Sequence, residues 1–330
     1  MIKRIGMLTS GGDCQALNAT MRGVVKGLSN NLDELEVYGF DDGYKGLIYG
    51  KYRMLTSKDF SGILTQGGTI LGTSRQPFKL MRVPDEKGLD KVEAMKQTYY
   101  KLCLDCLVIL GGNGTQKTAN LLREEGLNII HLPKTIDNDI WGTDMTFGFQ
   151  SALEIATNAI DCIHTTAASH GRVFIVEIMG HKVGSLTLNA GVAGGADVIL
   201  IPEIPFDVDR DIVAKIKASQ KTGKQHFIVM VAEGVGHSHE LAKEIEEKTG
   251  VESRATVLGH IQRGGSPTLR DRVVASEMGY YAVELLEKGI GNRVVVTKDG
   301  KVTDYDILEA LSMKKSVDMN LLKIAQDIAL

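Results

Sequence analysis

The chain has six prolines, four cysteines and no low-complexity tract in its 330 residues. With so few breakers no linker stands out, so a second domain is expected to be woven into the first, not strung after it. No apolar stretch approaches the ~18 residues needed to span a bilayer. Charge is balanced as well: 38 Lys and Arg against 41 Asp and Glu give a net charge of −3. That balance points to neither a nucleic-acid nor a membrane partner. Among the cysteines, Cys103 and Cys106 form CLDC, a metal or redox spacing. A zinc site needs about four ligands, and no second CxxC or HxxxH pair completes one. These thiols are expected to pack into the strand before VILGG. The opening MIKRIGMLTS runs into a strand-like stretch instead of a signal peptide's apolar segment, so a cytoplasmic enzyme or binding protein is expected.

What is present suits a large buried core, since 43% of residues are hydrophobic and 24% charged. Short apolar runs recur: IGMLTS, LEVYGF, CLVIL, LNIIHL, RVFIVEIMG, ADVILIPE and HFIVMVAEG. Continuous runs of this kind suit parallel strands buried on both faces and joined by right-handed helical crossovers. LNATMRGVVKGLSN and SALEIATNAIDCIH place apolar residues at helical steps. VVVTKDGKVTDYDI reads as a hairpin turning at Asp299-Gly300. The fold class is α/β.

The residues after the strands carry the chemistry. GGD follows IGMLTS, GGNGT follows CLVIL, and PKTIDND follows LNIIHL. Ligands of open parallel sheets sit beyond the carboxyl ends of the strands. Gly11-Gly12 and Gly111-Gly112-Asn113-Gly114-Thr115 each lead from a strand into a helix. Missing side chains let a phosphate approach backbone N–H groups there. Either loop alone could be only a tight turn, and neither is a P-loop or GxGxxG. In TIDND the carboxylates of Asp137 and Asp139 stand two residues apart. One could take a proton while the other holds a metal or a second hydroxyl, although an Asx turn would explain one of them. Lys134 adds a cation, and Arg172, Arg254, His260 and Arg263 supply further basic groups suited to phosphate oxygens.

TSGGD, LGTSR, GGNGT, PKTIDND, MG, AE and RATVLGHIQRGGSP, in this order, resemble the 6-phosphofructokinase family from residue 1 to about residue 312. The resemblance implies two Rossmann-like three-layer lobes with mainly parallel sheets. Residues 1–148 plus 262–312 would form a larger lobe binding the phosphoryl donor. Residues 149–261 plus 313–330 would form a smaller lobe binding fructose 6-phosphate. It implies that Asp137 deprotonates the sugar's 1-hydroxyl, with Thr135, Asp139 and Gly11 beside it. Met179, Gly180, His181, Glu233, His260 and Arg263 would hold the sugar phosphate. Arg172 and Arg254 would be lent by a neighbouring subunit of a homotetramer. Gly11, Tyr44, Arg75, Gly112, Asn113, Gly114, Thr115 and Lys134 would line the donor site, with Mg2+ at Asn113 and Asp137.

Two positions depart from the family. Asn113 stands where an acid usually helps to hold Mg2+, and His181 where many bacterial members carry arginine. The donor marks are mixed: Gly114 is typical of members using ATP, Lys134 of members using pyrophosphate. ATP is the expected donor, because glycine at 114 leaves room for a nucleotide's α-phosphate. Pyrophosphate is the alternative. Arg22, Arg53, Asp197, Lys224 and His226 match the family's effector site, and Lys26 stands at a further position of it. Lys26 replaces an arginine there, and His164 and Thr222 stand at other basic positions, so weak or absent effector control is expected. Lipid and NAD kinases also use a GGDGT-like loop but lack PKTIDND and GHIQRGGSP. A sugar-phosphate-binding regulatory subunit is the non-enzymatic alternative.

Overall fold

A computed structural model describes residues 3–312 and 315–328. The chain divides into two compact units, Met1–Ser151 with Arg263–Lys315 and Ala152–Gln262 with Ser316–Leu330. Its first strands are β1 (Lys3–Ser10), β2 (Leu35–Phe40), β3 (Tyr52–Leu55), β4 (Cys106–Gly111) and β5 (Ile129–Pro133). Then come β6 (Val173–Ile178), β7 (Val198–Leu200), β8 (Phe227–Ala232) and β9 (Ser253–Val257), followed by β10 (Arg293–Lys298) and β11 (Lys301–Asp306).

The sheet of the first unit has the order β11-β10-β5-β4-β1-β2-β3. From β10 to β2 the strands are parallel, and antiparallel β11 and β3 close the two edges. Every residue of β4, CLVILG, is buried, as a parallel strand covered on both faces requires. The β10–β11 hairpin turns through Asp299 and Gly300, both with positive φ, a backbone twist that matches two antiparallel strands. Helix Leu17–Asn31 buries Leu17, Met21, Val24, Val25 and Leu28 at helical spacing. It crosses helix Leu269–Glu287 where Gly23 and Gly279 meet. A Cβ on Gly279 would lie 2.4 Å from the Thr20 carbonyl oxygen, so only glycine permits this approach. Because β2 lies on one side of β1 and β4 on the other, the loops after β1 and β4 part at a topological switch point.

The second unit holds a parallel sheet of order β7-β8-β6-β9. The FIVMVA run of β8 is wholly buried, and Phe227, Val229 and Val231 pack with Val173, Ile175, Ile216 and Ile245. β9, with the sequence SRATV, has no oily run; it is held by pairing with β6, Arg254 opposite Phe174. Helix Met319–Ile328 returns to this unit, setting Leu322 and Ala325 against Leu188 and Ile201. Among the described residues no helix is long and apolar enough to cross a membrane.

His131 on β5 is fully buried. Burial, then the positive charge of Lys134, pulls its imidazole from an ordinary 6.5 down to about 3. The unfolded chain therefore binds a proton in this interval and the folded chain does not. Stability from this group is complete above its unfolded value near 6.5 and is lost as pH falls from there toward 3. The slope is up to about 1.4 kcal/mol per pH unit. Urea unfolding at pH 7 and pH 5 measures it, and His131→Leu is expected to flatten the slope relative to the parent.

Candidate active site

Three adjacent strand ends in the first unit, those of β1, β4 and β5, are joined by polar contacts. After β1, Gly11 takes a positive φ of 88° that a side chain would resist. Its N–H donates to the Ser74 carbonyl (3.1 Å), and its own carbonyl accepts from Thr73 Oγ1 (2.7 Å). The LGTSR segment thus braces this turn and leaves Arg75 exposed beside it. At Gly12 the guanidinium of Arg263 occupies the space of a side chain: an added Cβ would lie 1.8 Å from Nη1. Arg263 also reaches the Asp13 carbonyl at 3.4 Å.

After β4, Gly112 caps helix Asn113–Glu124 without a side-chain hydrogen bond, so the helix start keeps N–H groups available to an anion. A Cβ added to Gly114 would meet nothing within 4 Å, so the space before this residue is open. Thr115 is buried, its hydroxyl 3.3 Å from the Ser10 carbonyl. Tyr44, expected to line the donor site, lies wholly buried with its hydroxyl donating to the Thr115 carbonyl at 2.8 Å. That placement makes it a support under the loop, and burial raises its phenol well above the ordinary value.

After β5 comes the acidic loop. Thr135 Oγ1 accepts from the Asp137 N–H at 3.0 Å, and its carbonyl accepts from Thr146 Oγ1 at 2.7 Å. The Asn113 amide donates to Asp139 Oδ2 at 2.6 Å, linking the β4 and β5 loops. Lys134 is only 4% exposed, and its ammonium donates to the Gly12 carbonyl, linking the β5 and β1 loops. Sequence reasoning put Lys134 on the donor's phosphates; the structure commits it to the protein. Burial lowers its pKa, with Arg263 adding to the fall and Cys14, Asp137 and Asp13 opposing it. Sequence reasoning missed Lys315, which donates to this acidic loop. Burial holds its ammonium down to about 8, against the pull of Asp144 and Asp139. A lysine pair in MKKSVD gives no signal; only the fold brings Lys315 there.

The second unit carries its own polar group. Met179 N–H donates to Gln262 Oε1 (2.8 Å), and Gly180 N–H lies 3.3 Å from Glu233 Oε2. His181 follows with positive φ and an exposed side chain. Arg172 pairs with Glu252 at 2.7 Å; Arg254 pairs with the same Glu252 and with Glu246 at 3.5 Å. Glu252 is the common anchor, a role nothing in the sequence signalled. His260 is exposed. Of the effector-matched residues, Arg22, Lys26 and Arg53 belong to the first unit, and Asp197, Lys224 and His226 to the second. Lys26 donates to Ser61 Oγ (2.9 Å), and Arg53 lies 3.3 Å from Asp41. Lys224 is paired with buried Asp197, and the rings of His226 and His164 meet edge to face at 5.8 Å. Lys26, Arg53, Lys224 and His226 thus each already have a partner or ring contact within their own unit.

A phosphofructokinase family profile matches residues 4–286. The ATP-dependent 6-phosphofructokinase of Spirochaeta thermophila is 49% identical, over 96% of this chain and 93% of its own length. That of Bacillus subtilis is 45% identical over the full length of both. The phosphofructokinase structure from Saccharomyces cerevisiae superposes with a TM-score of 0.86 at 30% identity, covering 99% of this chain. This chain spans 48% of that longer yeast chain.

The CLDC thiols part company. Cys106 is buried in β4, whereas Cys103 sits exposed in a turn of positive φ, which corrects the expectation that both pack into the strand. Burial pushes the Cys14 and Cys106 thiols up to about 12, away from the reactive thiolate. Alkylation of the native protein followed by mass spectrometry is expected to label Cys103 and to reach Cys14 and Cys106 only after unfolding.

Proposed function

The chain belongs to the phosphofructokinase family, and from that premise we propose that it is an ATP-dependent 6-phosphofructokinase. It transfers the γ-phosphoryl group of ATP to the 1-hydroxyl of fructose 6-phosphate, giving fructose 1,6-bisphosphate and ADP. The observation that carries this reading is the joining of three strand ends. Two bare-backbone turns at the switch point stand beside a loop with two carboxylates, tied through Asn113–Asp139 and Lys134–Gly12. Phosphoryl transfer needs chiefly positioning and charge neutralisation, which such turns supply.

The residues divide the work. Asp137 accepts the proton of the sugar hydroxyl, and its backbone is fixed by Thr135. Gly11, Gly112, Gly114 and Thr115 offer main chain to the donor's phosphates, with Arg75 exposed beside the first turn. Arg263, Glu233, His260 and the Met179-Gly180-His181 segment hold the sugar phosphate, and Arg172 and Arg254 reach the site of a neighbouring subunit in a homotetramer. Magnesium keeps most of its waters and takes one or two protein oxygens plus phosphates. The donor set suits it: Asn113 spends its nitrogen on Asp139 and so has its oxygen left for a cation beside Asp137. When bound, Mg2+ neutralises developing phosphate charge. The enzyme acts in the cytoplasm, with weak response to phosphate effectors, because Lys224 already has Asp197 as its partner.

ATP is favoured over pyrophosphate by two placements. Gly114 faces open space, and Lys134, the mark shared with pyrophosphate users, is turned into the protein. Strong turnover with Mg-ATP and little with pyrophosphate is expected in a coupled assay; the reverse preference would sink the donor assignment. Gly114→Asp places a carboxylate in that space and is expected to raise the KM for ATP roughly tenfold or more while sparing the KM for fructose 6-phosphate. Asp137→Ser is expected to cut kcat by about 10²- to 10⁴-fold with sugar binding retained, read by steady-state kinetics and calorimetry.

A further inference from the structure

We propose that Lys315 is a positioning residue for the carboxylate pair, fixing the residue between Asp137 and Asp139 so that both acids are presented together. Lys315 Nζ donates to Asn138 Oδ1 (2.9 Å), the Thr143 carbonyl (2.7 Å) and the Asp144 carbonyl (2.9 Å). Three donors meet three acceptors, so the ammonium is fully used within one loop. Asn138 has a φ of 53°, a left-handed conformation that asparagine tolerates but does not prefer. Its side chain holds it there. Oδ1 accepts from the Thr146 N–H (3.1 Å) as well as from Lys315, and Nδ2 reaches the Asp144 carbonyl (3.3 Å).

The loop is closed at its base by Thr146 Oγ1 on the Thr135 carbonyl, and its far side is tied to β10 by the Asp144 N–H on the Thr297 carbonyl (2.7 Å). Lys315 brings a side chain from the segment after helix Ile307–Ser312 onto the loop. Without its ammonium, an amide oxygen and two carbonyls lose a donor, and the left-handed residue loses one of its restraints. Asp137 and Asp139 flank that residue directly, so any relaxation of Asn138 turns both carboxylates. The sugar-phosphate contacts proposed for the second unit involve none of these atoms. The loss is therefore expected in turnover and not in sugar affinity.

This inference rests on Asp137 being the proton acceptor, so the test carries a control for that reading. Steady-state kinetics with Mg-ATP and fructose 6-phosphate compare full-length Lys315→Met, Lys315→Arg, Asn138→Ala and Asp137→Ser, each assayed well below its thermal unfolding midpoint. Lys315→Met and Asn138→Ala are expected to lower kcat about 10- to 100-fold with the KM for fructose 6-phosphate within about threefold. Lys315→Arg, which keeps charge and donors, is expected to recover most of the loss. The proposal is overturned if Lys315→Met keeps kcat within about twofold of the parent while Asp137→Ser is inactive, or if Lys315→Met raises KM alone. Should Lys315→Met fail to fold, a normal kcat in Asn138→Ala overturns it equally. Normal turnover in Asp137→Ser would instead refute the proton-acceptor reading, a distinct result.

Discussion

The 2.6 Å hydrogen bond from the Asn113 amide to Asp139 sets the geometry on which the candidate site depends. An acid at position 113 would place two carboxylates together and require a cation between them. The amide removes that repulsion and substitutes a directed bond. The β4 and β5 loops are therefore held together by the protein itself. Lys134 performs the matching task one strand over, bringing the Gly12 carbonyl toward the β5 loop from inside. Between them, the two contacts turn three separate strand ends into a single surface of main chain and carboxylate.

Much of this was legible in the sequence, for identifiable reasons. A buried parallel strand writes itself as an unbroken apolar run, and CLVIL and FIVMVA are described as strands with every residue covered. Helix Leu17–Asn31 and the hairpin turning at Asp299-Gly300 were legible from period and turn chemistry. β9 and β3 were not. SRATV and YRML are short and partly wet, and pairing with a neighbour, not burial, makes them strands. Within the site, the glycine turns and TIDND could be read because their spacing is local. The burial of Tyr44 and Lys134, the sharing of Glu252 by two arginines, and the reach of Lys315 depend on residues far apart in the chain, which no local pattern records.

The electrostatics of the second unit follow a different rule from those of the first. Arg172 and Arg254 share one carboxylate, Glu252, at the amino-terminal edge of β6 and β9. Two guanidiniums sharing a partner are kept near one another despite their like charge. Burial of full charges is avoided, because both arginines remain partly open to water.

The path of the chain through its two units has a consequence for biosynthesis. On the ribosome, Ala152–Gln262 emerges as one uninterrupted stretch, carrying all four strands of its sheet. The earlier residues fare differently. β5 waits for β10, and the glycine-lined face of helix Leu17–Asn31 waits for helix Leu269–Glu287, both translated more than a hundred residues later. Until then the oldest part of the polypeptide keeps an open sheet edge and an uncovered apolar helix face, the state in which nascent chains depend most on chaperones.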